Sequence, residues 1–473
     1  MITLLRIFLR SPAALVGATI LALLFPILVI STLFDLQGGI ENPYFSLLIY
    51  LVLGPLAVIA LILIVLGLIR ARGYENVPYT YEFFKRQLTN PERYNRIRRI
   101  VRTSTLLISA FLLLLVIFTY SGHRYTDSMQ FCGNFCHIMA PEFITHQNSP
   151  HSRVSCIACH IGKDVAGITT AKFTGLNQLY ATVTDTYPRP IPTPLNNLRP
   201  TRKTCEECHR PEKFHGQKLY VTDTFLPDVY NSRVQTAMIM KIGSGGYLGR
   251  SAQGIHWHIS EQHPLNYVTA AGNPQEIIRV FLTDAAGKRT VYFKNGSSRL
   301  PQEASEHLMD CLDCHNRPTH IYLSPEAALD HQFLARRIPV MLPFIKREAL
   351  AAITQPYPTT PKALAGIAAQ LRQRYLTPGS DLFVSESDLV EQAIRGTQQA
   401  YKENVFPETQ IRWGTYKDLI GHRDGSGCFR CHDGSFTSPE GKTISRDCDL
   451  CHIILAENEP AENIAKTLQA IRR

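Results

Sequence analysis

Residues 156–160 read Cys-Ile-Ala-Cys-His, and the same C-x-x-C-H pattern returns at 205–209, 311–315, 428–432 and 448–452. A related C-x-x-x-C-H occupies residues 132–137, so the six motifs use all 12 cysteines of the chain. C-x-x-C-H is the attachment signature of haem c, in which two thiols bond the porphyrin and the adjacent histidine ligates iron. The attaching cysteines are Cys132, Cys136, Cys156, Cys159, Cys205, Cys208, Cys311, Cys314, Cys428, Cys431, Cys448 and Cys451. The adjacent histidines are His137, His160, His209, His315, His432 and His452.

Paired cysteines have two other common uses in proteins. Short disulfides suit an oxidising compartment, and C-x-x-C pairs can bind zinc. Neither use requires histidine at the next position, and only 17 of the 473 residues are histidine. Histidine after all six pairs therefore favours six haem c groups, including one at the first motif despite its extra residue.

Each iron needs a second axial ligand unless it is open to a substrate. Histidines near the motifs are the first candidates, and Met139 follows His137 by two residues. In Ile-His-Trp-His, one of the two histidines is expected to ligate. The predicted second ligands are His151, His215, His256 or His258, His307, His320, His422 and Met139. Bis-histidine irons are closed to small molecules and suit electron transfer. The histidines expected to serve other purposes are His123, His146, His263 and His331.

Three apolar runs near the N-terminus are predicted to span a membrane, at about residues 13–33, 46–69 and 105–120, since roughly 20 residues cross a bilayer. The segment between the first two has no Lys or Arg, whereas nine lie between residues 70 and 102. The positive-inside rule then places the N-terminus and a basic loop at 70–104 in the cytoplasm. Everything after about residue 122 is expected in the periplasm, the side on which haem c is attached.

The stretch that runs from the third span into Phe-Cys-x-x-x-Cys-His-Ile-Met, and on into His151-Ser-Arg-Val-Ser-Cys-Ile-Ala-Cys-His, resembles the NapC/NirT family of membrane-anchored multihaem quinol dehydrogenases. The match covers roughly residues 105–215. The resemblance implies a first haem at the membrane surface beside a quinol site, with Met139 as its iron ligand. It also supports ligand roles for His320, His422 and the Ile-His-Trp-His segment, which look like parts of the larger members.

The chain departs from the smaller members of that family, which have one span and four haems. Those members carry Lys and Asp near the quinol site, on the helix after the second motif. The same stretch here contains Lys163, Asp164, Lys172 and Asp185, but no Lys and Asp in the matching register. The candidate quinol-site residues are therefore Met139, Lys163 and Lys172.

The predicted fold is mainly α, with extensive irregular haem-packed structure, a small β element and N-terminal transmembrane helices ahead of a periplasmic multihaem domain. A helix is expected at 165–184, a hairpin at 276–283 and 289–294, and helices with proline at their first position after Ser324 and Thr360. The expected regions are a membrane anchor (1–122), a NapC/NirT-like domain with haems 1–3 (123–215), a β-containing insertion (216–306), haem 4 with a helical region (307–404), and a two-haem C-terminal region (405–473).

The formal charge of +10 does not indicate a nucleic-acid partner, because many of the cations lie in one short segment and haem propionates would offset the others. The resemblance implies oxidation of menaquinol or ubiquinol at the outer face of the cytoplasmic membrane, with electrons passed to a periplasmic partner. A terminal reductase of a small oxyanion, or an electron-conduit subunit of a larger complex, is the alternative. A homo-oligomer is compatible with the sequence.

Overall fold

The computed structural model describes residues 11–36, 52–70, 89–162, 165–193, 199–210, 213, 215–244, 252–270, 273–295, 306–422 and 426–471. The chain forms two compact units. The first comprises Met1–Cys132 with Ile161–Asn177, and the second comprises Gly133–His160 with Gln178–Arg473.

Three apolar helices dominate the first unit: α1 (Pro12–Leu36), α2 (Gly54–Arg70) and α3 (Pro91–Thr126). Residues Pro12–Ser31 and Tyr94–Thr126 are long and apolar enough to cross a membrane, whereas the apolar part of α2, Gly54–Gly67, is shorter. The first part of the predicted second span, 46–51, lies outside the described residues. Small residues let α1 and α2 approach closely, since a Cβ added to Gly17 would lie 2.6 Å from the Ala60 carbonyl oxygen.

The predicted basic loop at 70–104 is wrong for its second half. Helix α3 already begins at Pro91 and continues through the predicted third span without a break. The side chain of Asn90 accepts a hydrogen bond from the Glu92 amide at 3.1 Å, which caps the helix. Arginine is a good helix former, so the basic segment 91–104 extends the span by about four largely exposed turns of helix.

Helices α8 (Pro325–Leu334), α9 (Ile345–Ile353), α10 (Thr360–Leu376) and α11 (Ser387–Asn404) enclose the largest apolar core of the second unit. The predicted start of α8 is confirmed, because Ser324 Oγ accepts from the Ala327 amide with Pro325 at the first position. The predicted start of α10 is one residue late: Thr359 is the cap, which places Pro361 at the second position. The fully buried residues of this core include Leu329, Ile345, Ile367, Leu371, Tyr375 and Tyr401.

One ion pair is buried in this helical core. Lys346 Nζ donates to Asp330 Oδ1 at 2.5 Å, and the two residues are 3% and 8% exposed. Asp330 also accepts from the Phe225 amide at 3.0 Å. Burial raises the pKa of Asp330, and Lys346 opposes that shift. The pair therefore ties α8 to α9 and to the strand that ends at Phe225.

Replacing Lys346 with methionine should lower the local free energy of unfolding by about 3–5 kcal/mol, because Asp330 would be left as a buried, unpaired charge. Hydrogen exchange of the α9 amides measures this loss. Lys362→Met, at an exposed position of α10, is the matched control and should change the free energy of unfolding by less than about 0.5 kcal/mol. Equal effects of the two substitutions would contradict the role of the pair.

Two antiparallel sheets complete the second unit. The first has the order β1 (Lys218–Phe225), β2 (Arg233–Met240) and β8 (His452–Glu459). The second has the order β6-β3-β4-β5-β7, and its strands are β3 (Leu265–Ala270), β4 (Asn273–Thr283), β5 (Arg289–Lys294), β6 (Glu306–Leu308) and β7 (Phe436–Thr437).

The predicted hairpin is confirmed as β4 and β5, which pair from Arg279↔Phe293 to Thr283↔Arg289. Strands β7 and β8 come from the C-terminal part of the chain, so residues far apart in sequence build each sheet. The described chain is mainly helical with these two sheets, as predicted at that level, but its β part is larger than a single small element.

Short helices surround the first three motifs: α4 (Ala140–Gln147), α5 (Cys156–His160), α6 (Val165–Val183) and α7 (Thr201–Thr204). The helix predicted at 165–184 is thus confirmed. The C-terminal helix α12 (Ala461–Ile471) packs on β2 and β8.

Candidate haem centres

The cysteine motifs lie in tight helical turns. The second motif forms α5, and 3-10 turns cover Cys311–Asp313, Gly427–Arg430 and Cys448–Leu450. Cysteines of the last four motifs form no disulfides in the described chain.

The turns share one backbone contact at three motifs. The amide of the motif histidine donates to the carbonyl of the first cysteine, at 2.8 Å for His209, 2.8 Å for His315 and 3.0 Å for His432. This contact keeps two thiols and an imidazole on one short turn, as haem attachment requires.

Four motif histidines face a second histidine across a gap of similar width. The ring centroids are 6.3 Å apart for His160 and His320, 5.8 Å for His209 and His151, 5.9 Å for His432 and His258, and 6.0 Å for His452 and His422. A coordinating imidazole nitrogen lies about 2 Å from its metal, so two rings on opposite sides of one metal have centroids about 6 Å apart. The gaps therefore fit an iron between each pair.

A fifth pair is indicated at the fourth motif. Burial lowers the pKa of His256, and the charge of a protonated His315 would lower it further, so His256 lies near His315. The sequence predicts that one of His256 and His258 ligates; here the first lies near His315, and the ring of the second faces that of His432. The 3-10 turn Ile255–Ile259 places the two rings toward different motifs.

Hydrogen bonds fix the orientation of several of these rings. The Nδ1–H group donates to a backbone carbonyl: from His320 to Glu142 at 2.9 Å, from His151 to Pro318 at 3.0 Å and from His258 to Ile255 at 2.8 Å. His432 Nδ1 does the same toward Ser445 at 2.6 Å. Such a bond leaves Nε2 as the metal-binding atom, an arrangement usual for ligating histidines.

Burial also favours the ligating form of these rings. It lowers the pKa of His320 to about 4, and it lowers the pKa of His258. Both imidazoles are neutral at pH 7, the protonation state in which histidine binds a metal. The donor sets therefore fit haem iron at these positions.

Two predicted histidine ligands, His215 and His307, fall outside the pairs described above. His215 is exposed at the start of the first sheet, and the place beside His209 is taken by His151. His307 packs on the Tyr267 ring at 5.6 Å. His146 also lies 6.2 Å from His320, but its Nε2 bonds the Val154 carbonyl at 3.0 Å, in keeping with the structural role expected for it.

The first motif differs from the rest. Phe131–Phe135 forms a π turn, and His137–Met139 forms a 3-10 turn in which the Met139 amide donates to the Cys136 carbonyl at 2.8 Å. Met139 is 38% exposed. Lys163 and the side chains of Lys172 and His123 lie outside the described residues, so Met139 alone of the quinol-site candidates is described as a side chain.

Polar contacts link the third, fourth and fifth motifs. Thr201 Oγ1, four residues before the third motif, donates to Asp310 Oδ2, next to the fourth motif, at 3.0 Å. Asp313, inside the fourth motif, accepts from Tyr267 and from the Asp310 amide. Arg430, inside the fifth motif, donates to the Asp313 carbonyl. Asp313 and Arg430 stand at the variable positions of C-x-x-C, so the motif alone does not predict these contacts, although their charge is a signal for them.

Arg430→Gln should lower the midpoint potential of the haems held by the fourth and fifth motifs, because a nearby positive charge disfavours ferric iron. Asp313→Asn should raise it, because a negative charge is removed while an acceptor oxygen is kept. Spectroelectrochemical titration of the two variants checks both signs. Shifts in the same direction would indicate altered packing alone and would contradict an electrostatic role.

Comparisons with known proteins place the chain in a family. The model of the NapC/NirT cytochrome c family, N-terminal region, matches residues 96–190. Over 469 residues the chain is 34% identical to the cytochrome c-type protein ImcH of Geobacter sulfurreducens, a match that covers 97% of this chain and 91% of that protein. This chain belongs to the NapC/NirT family of cytochromes c. The NapC/NirT resemblance seen in the sequence is thereby confirmed.

A second relative matches over a shorter stretch. The chain is 49% identical over 39 residues to the cytochrome c nitrite reductase subunit NrfH of Nitratidesulfovibrio vulgaris, and these residues are 8% of this chain and 24% of that protein. No solved structure matches the chain.

The family match and the match to ImcH make the chain a membrane-anchored, multihaem c-type cytochrome that carries haem c.

Proposed function

We propose that this cytochrome holds six haem c groups, oxidises quinol at the outer face of the cytoplasmic membrane and delivers the electrons to a periplasmic acceptor. The observation that carries the proposal is the set of four facing imidazole pairs, to which the neighbouring His256 and His315 add a fifth. If each pair holds one iron, both axial positions of that iron are filled, which leaves no site for a small substrate. Haem iron, when bound, takes up and releases one electron at a time.

The proposed ligand pairs are His160 with His320, His209 with His151, His315 with His256, His432 with His258 and His452 with His422. The first haem is assigned to His137 with Met139, which would give it a potential different from those of the others. The contacts among the third, fourth and fifth motifs support haems that lie next to one another in the order of their motifs.

The proposed orientation in the membrane is supported by the positive charges at the start of α3. Arg96, Arg98, Arg99 and Arg102 are exposed on the first turns of α3, and the positive-inside rule puts that end in the cytoplasm. The haem motifs, which follow α3, are then periplasmic. Met139, Lys163 and Lys172 remain the proposed quinol-site residues, and the five regions predicted from the sequence are part of the proposal.

An electron-conduit subunit of a larger complex is the second candidate. It is favoured by the 39-residue match to NrfH, which is named as a subunit. Both functions use closed haems; they differ in whether this chain itself meets quinol. A terminal reductase of a small oxyanion is less well supported, since it needs an iron with an open position.

Anaerobic addition of a menaquinol or ubiquinol analogue to the purified, haem-loaded protein in detergent tests the proposal. Rapid partial reduction of the haem absorption bands, blocked by a quinone-site inhibitor, is expected. Met139→Ala should slow that reduction at least tenfold, whereas Met341→Ala, at an exposed methionine of the helical region, should leave it unchanged. Reduction by dithionite but by neither quinol would contradict quinol oxidation and favour the conduit function.

A further inference from the structure

A largely buried carboxyl group lies beside one of the facing histidine pairs. It belongs to Glu142, in the first turn of α4, whose side chain is 13% exposed. His320 Nδ1 lies 2.9 Å from the Glu142 carbonyl oxygen and 3.1 Å from Glu142 Oε2. Because His320 faces His160 across a gap that fits an iron, the carboxyl group is next to the ring nitrogen that is not needed for the metal.

The two oxygens of this carboxyl group have different surroundings. Oε1 accepts a hydrogen bond from the Tyr322 hydroxyl at 3.1 Å, and Oε2 lies 3.8 Å from Arg317 Nη1. Oε2 is buried and has no hydrogen-bond partner among the described residues. The His320 N–H group donates to the Glu142 carbonyl, so Oε2 acts on the ring through its charge at short range. Buried polar atoms are nearly always hydrogen-bonded, and this exception calls for a role beyond packing.

The partner charge is also held beside His320. Arg317 has a side chain that is only 8% exposed, lies over the Tyr416 ring at 3.7 Å and donates to the His320 carbonyl at 3.3 Å. Burial raises the pKa of Glu142, whereas the positive Arg317 and the Tyr322 hydroxyl lower it. Both partners therefore favour the carboxylate form of Glu142.

This carboxylate distinguishes one pair from the others. His151, His258 and His432 also have Nδ1 bonded to a backbone carbonyl. In the part of the chain that the structure describes, no carboxylate forms an ion pair with any of these three rings, whereas Glu142 lies within ion-pair distance of His320. The second motif is thus the one whose facing histidine has a fixed negative charge behind it.

A negative charge behind an axial imidazole makes the ring a stronger donor to iron and favours the ferric state. We propose that Glu142 is a positioning residue that acts through His320 to lower the midpoint potential of the haem held by the second motif. The inference deepens the proposed function, since it rests on the proposed pair His160–His320. It does not depend on quinol oxidation.

The position of this haem gives its potential a consequence for electron flow. In the proposed order, one electron leaves the ferrous iron of the first haem and reduces the ferric iron of the second, with no bond or proton moved. A lower potential at the second haem makes that step less favourable and the next step, to the third haem, more favourable. Glu142 would therefore control how electrons are shared between the first haem and the rest.

A redox titration of the full, haem-loaded Glu142→Gln variant, followed by electron paramagnetic resonance, tests the inference. One of the six one-electron components should become at least tenfold easier to reduce at a fixed ambient potential, which is about 59 mV for one electron. Glutamine keeps the size of the side chain and removes its charge. A titration that matches that of the unsubstituted protein would overturn the inference.

Glu403→Gln is the matched control. The Glu403 side chain is 11% exposed, lies 3.7 Å from Arg337 Nη1 and accepts from Gln332 at 2.9 Å, so its burial and its arginine resemble those of Glu142. Its remaining described partner is Gln399 and not a histidine. This variant should shift no component by more than about twofold. Equal shifts in the two variants would show that any buried charge has the same effect and would overturn the inference.

His320→Ala identifies the component and separates the two possible failures. It should convert one haem to the high-spin state, and the low-spin component that it removes should be the one shifted by Glu142→Gln. If all haems stay low-spin, the proposed pair is wrong and the inference fails with it. If one haem becomes high-spin but Glu142→Gln leaves its potential unchanged, the pair stands and the role of Glu142 alone is overturned.

Glu142→Asp provides the test if Glu142→Gln does not assemble with haem. Aspartate keeps the charge but is one methylene shorter, so the carboxylate lies farther from His320. The same component should become easier to reduce by at least about twofold and by less than in Glu142→Gln. No shift in this variant, with all haems low-spin, would contradict the role of Glu142.

Discussion

His258→Ala should convert one low-spin haem of the protein into a high-spin haem that binds carbon monoxide when reduced. The expected cause is the loss of one of the two imidazoles that face each other at the fifth motif, where the ring centroids of His258 and His432 are 5.9 Å apart. Electron paramagnetic resonance of the oxidised protein and carbon monoxide difference spectra of the reduced protein measure the change. The haem itself should stay attached, because both thioether bonds are untouched.

His263→Ala is the matched control for this variant. His263 stacks on Trp257 at 5.9 Å in the same segment of chain, but it is assigned to no iron. Its replacement should leave all haems low-spin. A high-spin signal from His263→Ala, or none from His258→Ala, would show that the ligand at the fifth motif is another residue.

The haem-free chain should lose its structure around the motifs while the helical core of the second unit survives. That core, from α8 to α11, is enclosed by protein side chains such as Leu371, Tyr375 and Tyr401, all at most 2% exposed. Around the first three motifs few apolar side chains are buried, so the porphyrins must supply much of the packing there. Protein made without haem attachment should therefore yield a protease-resistant fragment spanning roughly residues 323–405.

Leu371→Ala tests whether the fragment resists protease because its core is packed, and not because any helix is cut slowly. The substitution should destabilise the fragment by about 2–5 kcal/mol, enough to make it protease-sensitive. Leu334→Ala, at an exposed leucine of α8, should not. A haem-free chain that resists protease along its whole length would contradict the view that haem completes the fold.

The chemistry of this protein could be predicted from the sequence because it is local. The cysteines and histidine of a motif lie within one helical turn, and the helix start at Ser324 is set by residues three positions apart. The family resemblance likewise rests on a continuous stretch. Apolar runs of spanning length gave the first and third membrane helices for the same reason.

The facing histidine pairs, proposed as iron ligands, could not be predicted in this way because they join distant residues. His160 faces His320 across 160 positions of sequence, and His209 faces His151 on the far side of the second motif. Nearness in sequence favoured His215, which the fold leaves exposed. The assignment of both His256 and His258 depends on a 3-10 turn that points adjacent rings toward different motifs. Pairing of β8 with β2 is equally non-local.

Locating the irons tests the central claim most directly. A cryo-electron microscopy map of the haem-loaded protein, or anomalous diffraction at the iron edge, should show six irons. Five of them should lie between the pairs His160–His320, His209–His151, His315–His256, His432–His258 and His452–His422. A map that places His215 or His307 on an iron in place of one of these partners, or that leaves an iron open, would contradict the assignment and favour a reductase.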